Sequence, residues 1–103
     1  MKKSRIFDQC YNTVLSEYFI ALRKERKRTL EDVAYFVGCN ANSLYRYETG
    51  SREMPIDIFV KLCRFYGVDY EQAFTEINEK ALLMAIREMR KFVAEERQKI
   101  KDA

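Results

Sequence analysis

The three glycines and the single proline of this chain all fall at the edges of segments whose apolar residues recur every three or four positions. Glycine and proline are the strongest interrupters of regular structure, and a sandwich or barrel needs far more of them for its tight turns. The pattern therefore predicts an all-α fold made of short helices with well-marked ends. Phe7, Tyr11, Val14, Tyr18 and Leu22 form one apolar stripe on a long first helix, or on two short helices in line, with Cys10, Leu15 and Phe19 beside it. The stripe ends in the run Arg23, Lys24, Glu25, Arg26, Lys27, Arg28.

Thr29 has the chemistry of an N-cap, and Asp32 stands three residues on in the capping-box position. Leu30, Val33, Ala34 and Val37 give a short second helix its buried stripe, and Gly38 ends it. Asn40 caps a third helix over 40–49, with Leu44 and Tyr47 facing inward and Gly50 closing it. Pro55 suits the first turn of a fourth helix, whose inner face is Ile56, Phe59, Val60, Cys63 and Tyr66, and which Gly67 terminates. Asp69 caps a short fifth helix through Phe74. Beyond it, Leu82, Ile86, Met89 and Val93 set out a heptad-like seam that Glu96 interrupts before Ile100. The organisation expected is a helical extension over 1–12, a compact five-helix domain over 13–75, and an added C-terminal helix over 76–103.

At 103 residues, with 48% hydrophobic and 34% charged side chains, the chain has the makings of one folded domain. It contains no histidine, which removes imidazole catalysis and histidine metal ligation. Cys10, Cys39 and Cys63 form neither a CxxC pair nor an even set, so they read as small apolar residues in a reducing, cytoplasmic setting. The longest apolar run, Ala81 to Ile86, is far short of the ~20 residues that span a bilayer, so no membrane association is expected. No nucleophile–base pair or metal cluster can be assembled, so an enzyme is not expected, nor a cofactor. The net charge of +3 is uneven: residues 1–68 carry twelve basic and eight acidic side chains, and the remainder seven and eight. A polyanionic partner would meet the first two thirds.

Two short helices joined by a turn at Gly38 and Cys39 make a helix-turn-helix arrangement. The stretch from Leu22 to Phe74 resembles the lambda repressor-like, XRE-type family of phage and bacterial regulators. The resemblance is carried by Arg23, the run Thr29, Leu30, Glu31, Asp32, Val33, Ala34, then Gly38, Ser43, Leu44, Glu48, Thr49, Gly50, Ser51, Arg52, Pro55, Leu62, Gly67 and Val68. Two positions depart from it: Leu30 stands where the family often has Gln, and Arg28 where it usually has an apolar residue. The resemblance implies double-stranded DNA as partner, with the third helix as recognition helix in the major groove.

Asn42, Tyr45, Arg46 and Thr49 share one face of that helix. Asn can pair in two-pronged fashion with adenine and Arg with guanine, and Ala41 is small enough to meet a thymine methyl. Base contacts are expected from Ala41, Asn42 and Arg46, and Tyr45 suits either a base or a phosphate; the bland alternative is an ordinary solvated helix face. Phosphate contacts are expected from Thr29, Asn40, Ser43, Thr49, Ser51 and Arg52, together with N–H groups at the start of the second helix. By resemblance, Arg23 pairs with Glu48 and ties the first helix to the recognition helix. The basic run from Arg23 to Arg28 either adds long-range attraction or is a solvated helix end. The 14 aromatic residues would suit stacking on single strands, but most occupy core spacing.

Leu82, Ile86, Met89 and Val93 are candidates for pairing across a two-fold axis, or for folding back on the first helix. The reading is a sequence-specific transcriptional regulator, a repressor acting as a homodimer, nucleoid-associated when bound. The alternative is an antitoxin or adaptor whose C-terminal helix docks on a regulatory partner protein.

Overall fold

The computed structural model describes residues 5–102 as five helices: α1 (Ile6–Glu25), α2 (Leu30–Val37), α3 (Ala41–Thr49), α4 (Ile56–Tyr66) and α5 (Tyr70–Asp102). Residues 1–4 of the predicted N-terminal extension, and Ala103, lie outside the described residues. The all-α expectation is met. The ends of α2 and the start of α3 follow from local causes. The Thr29 hydroxyl accepts from the Asp32 N–H, and the Asn40 side-chain oxygen from the Ser43 N–H at 2.7 Å. Gly38 closes α2 at φ +80°, a left-handed conformation that costs a residue with a Cβ about 1–2 kcal/mol. Pro55 sits one position earlier than expected, capping α4 from outside rather than opening its first turn.

The core is built where α1, α4 and α5 meet, with α2 and α3 closing one end. Its largest side chains include Phe19, Leu44, Leu62, Ile77 and Tyr66. Phe19 meets the Phe59 ring edge-on at 5.5 Å, the arrangement favoured by the ring quadrupoles. The stripe expected on α1 is displaced by one register. Ile6, Cys10, Val14, Leu15 and Phe19 are buried, while Tyr11, Tyr18 and Leu22 are half-buried and Phe7 lies on the surface. On α4, Ile58 and Leu62 take the place expected of Ile56, which stands 70% exposed in the first turn.

The C-terminal region differs most. The short helix expected to stop at Phe74 and the separate helix expected from 76 are one 33-residue helix, capped by the Asp69 carboxylate on the N–H groups of Glu71 and Gln72. Similarly α1 runs unbroken through the boundary expected at position 12. The face of α5 that packs on the domain, chiefly against α1, is Ala73, Ile77, Ala81 and Ala85. Small residues at that spacing let the two helix axes approach closely. Beyond Ala85 no residue of α5 is buried, and the helix projects from the body, which accounts for the 57 × 26 × 22 Å outline.

Burial pushes the Cys63 thiol up to about 11 from its ordinary 9.0, and the Tyr66 hydroxyl up to about 12, so both stay protonated in the native state. In the unfolded chain Cys63 ionises first, near pH 9. The native state then holds the extra proton, and the stability that depends on it is complete below pH 9 and lost as pH rises towards 11. Cys63→Ala should show a flatter fall in melting temperature across that window than the parent, measured by thermal melts in matched buffers. The Tyr66 hydroxyl has no hydrogen-bond partner among the described residues, although the residue is only 2% exposed. An unpaired buried polar group costs about 1–3 kcal/mol. Tyr66→Phe is therefore expected to leave stability unchanged or raise it by about 1 kcal/mol in a urea titration.

Candidate nucleic-acid interface

The turn between α2 and α3 determines how α3 is presented. The N–H groups of Gly38 and Cys39 both donate to the Ala34 carbonyl at 3.0 Å, folding the chain back sharply. Val33, Ala34 and Val37 bury one side of α2, and Leu44 buries the facing side of α3. A third anchor comes from α1. The Arg23 Nε donates to both Glu48 carboxylate oxygens, at 2.9 and 3.1 Å, and its Nη1 donates to the Arg28 carbonyl at 3.2 Å. Glu48 is the only buried charged residue among the described residues, at 2% exposure. Its backbone carbonyl also accepts from the Ser16 hydroxyl. The C-terminal end of α3 is thus tied to α1 through both side chain and main chain.

With that side committed, the opposite face is free. Asn42, Tyr45 and Arg46 are exposed, and none of their side chains has a hydrogen-bond or ion-pair partner among the described residues. Ala41 is half-buried at the helix start. The expected phosphate contacts divide by what their polar atoms already do. Asn40 accepts through its oxygen, which leaves its amide N–H groups to donate outward; Thr29 likewise accepts and keeps its hydroxyl proton. The Ser43 hydroxyl and the Arg52 guanidinium are unengaged among the described residues. Thr49 is different: although exposed, it donates its one proton to the Tyr45 carbonyl at 2.9 Å and has none left for a phosphate. Ser51 lies 3.4 Å from the Thr49 hydroxyl and reaches the Arg46 carbonyl only at 3.5 Å.

The basic run resolves into separate roles. α1 ends at Glu25, and Lys27 adopts a left-handed φ of 55° in the turn that follows. Arg23 holds Glu48, Arg26 donates to the Tyr66 carbonyl at 2.6 Å, and Arg28 lies over the Phe65 ring. The contacts of Ser16 and Arg26 carry no local sequence signal. They join residues 32 and 40 positions apart, and only the folded arrangement reveals them.

A family profile described as a helix-turn-helix domain matches residues 14–73. The chain belongs to the helix-turn-helix family. The resemblance drawn from Thr29, Gly38, Glu48 and their neighbours is thereby borne out. Among solved structures, the helix-turn-helix chain is similar to the clp gene regulator ClgR from Corynebacterium glutamicum, at 20% identity and a TM-score of 0.66, over 84% of this chain and 90% of that one. At that identity the likeness speaks for the fold. Comparison with curated protein sequences finds no match. No helix among the described residues is long and apolar enough to cross a membrane.

Proposed function

We propose that the chain is a sequence-specific double-stranded DNA-binding protein, a transcriptional repressor that acts as a homodimer, with α3 in the major groove. The observation that carries this reading is the unengaged outward face of α3, held by a core on its other side and by the Arg23–Glu48 tie at its end. Membership of the helix-turn-helix family and the ClgR-like fold, that of a gene regulator, support it. Asn42 and Arg46 read base edges, with Ala41 and Tyr45 beside them. Thr29, Asn40, Ser43, Ser51 and Arg52 hold the flanking phosphates and set the register.

Dimerisation falls to α5. Leu82, Ile86, Met89 and Val93 are all at least one-third exposed, and with Phe7 they line an open, mainly apolar groove of about 540 Å³. A contiguous exposed apolar patch, unlike apolar residues scattered singly, is a candidate interaction site. A second copy, related by a two-fold axis, also presents two recognition helices to a palindromic site.

The test separates readout from attraction. Arg46→Ala should flatten the preference at one base pair by about 1–3 kcal/mol, whereas Arg52→Ala should weaken all duplexes nearly equally and lower the salt dependence by about one phosphate contact. Fluorescence anisotropy on a set of single-base operator variants, at several salt concentrations, distinguishes the two patterns. Identical preference profiles for the parent and the Arg46 variant would remove Arg46 from the readout.

A further inference from the structure

On the flank of the domain, α2 and α4 expose an aromatic shelf surrounded by cations. Phe36 is 64% exposed, and its ring centre lies 4.8 Å from that of the half-buried Phe65. The Arg28 guanidinium carbon stands 5.8 Å from the centre of the Phe65 ring. Next to Phe36 a hollow of about 390 Å³ is bounded by Val37, Gly38, Lys61 and Arg64. Lys61 has one carboxylate neighbour, Asp57 at 3.9 Å. Arg28 and Arg64 have none among the described residues.

A lone exposed apolar residue is ordinary. Two rings in contact, bordered by two uncompensated guanidinium groups and a hollow, form a surface with a defined complement. We propose that this shelf docks an acidic segment of a partner protein, one that sets a leucine or aromatic side chain between carboxylates. The apolar side chain enters the hollow against Phe36. The carboxylates take Arg28 and Arg64, whose planar donor forks match them in a two-pronged fashion.

A protein fits this surface better than a nucleic-acid backbone does, because a phosphate has no use for an exposed phenylalanine. Position adds to this. Phe36 lies seven positions beyond Thr29 along α2, a rise of about 10 Å. With the Thr29 end of α2 against DNA, a step that rests on the reading above, Arg28 adjoins that end, while Phe36 and Arg64 border the hollow at the other end of α2.

The experiment is a selection of displayed random peptides on the immobilised full chain, with excess random-sequence duplex in the buffer. The expected result is enrichment of peptides with Asp or Glu within two residues of Leu, Phe or Trp. A synthetic peptide of the enriched sequence should bind at least tenfold more weakly to Phe36→Ser and to Arg64→Glu, while both variants bind duplex DNA as the parent does. Enrichment of no acidic sequence, or a peptide indifferent to both substitutions, overturns the proposal. So does loss of duplex binding in Arg64→Glu, which would make the patch a phosphate contact. A chain that binds such peptides through the shelf but binds no duplex would contradict the DNA reading and leave this one standing.

Discussion

Arg23→Ala is expected to destabilise the domain by about 3–5 kcal/mol, the largest effect of any single surface-proximal change. Glu48 is 2% exposed, and Arg23 is the only cation that meets its carboxylate among the described residues. Removing the guanidinium leaves a buried carboxylate with neither countercharge nor donor. Arg23 also donates to the Arg28 carbonyl, so the turn leading into α2 loosens as well. Replacing both partners is a different case: an apolar pair of similar volume recovers much of the loss, because no charge remains to be desolvated. A urea titration of Arg23→Ala, of Glu48→Leu with Arg23→Met, and of the parent separates the two outcomes. A single variant as stable as the parent would show that the pair contributes nothing to holding α3.

Ile86→Lys is expected to produce a monomer that folds normally and loses about 10²–10⁴-fold in affinity for a two-half-site operator. Ile86 is 38% exposed and lies outside the buried set Ala73, Ile77, Ala81 and Ala85, so a lysine there leaves the core intact. Across a two-fold axis it would meet its own copy beside Arg90 and Arg97, which already rim the groove. Binding to a single half-site should not change, because the substitution is on α5 and the readout on α3. Sedimentation for mass and anisotropy for affinity report the two effects separately. A dimeric Ile86→Lys protein would move the dimer interface elsewhere.

The ends of α2 and α3 were legible because each rests on a local rule. Thr29 and Asn40 have the right oxygen at the right spacing, and Gly38, Gly50 and Gly67 take left-handed conformations. The core register of α1 was not legible, since two adjacent stripes are both apolar and only packing against α4 and α5 chooses between them. Ile56 misleads for a related reason: it continues the period of α4 but sits at the helix start, beyond the edge of the core. The continuity of α5 was present in the sequence, since nothing from Tyr70 to Asp102 interrupts a helix; the expected stop at Phe74 had no glycine or proline behind it. The partnership of Arg23 with Glu48 came from family resemblance, because no local rule relates residues 25 positions apart. Thr49 marks the limit of face-based reasoning: it shares a face with Asn42, Tyr45 and Arg46, yet its proton is used by the helix itself.

Whether α3 reads a DNA sequence is decided by selection of bound duplexes from a random pool. The pool should converge on a palindrome whose half-sites lie about one helical turn apart, or a multiple of that, with Arg46→Ala relaxing one position in each half. A pool that remains random after repeated rounds, at a salt concentration where the parent still binds duplex DNA, would contradict sequence readout by α3.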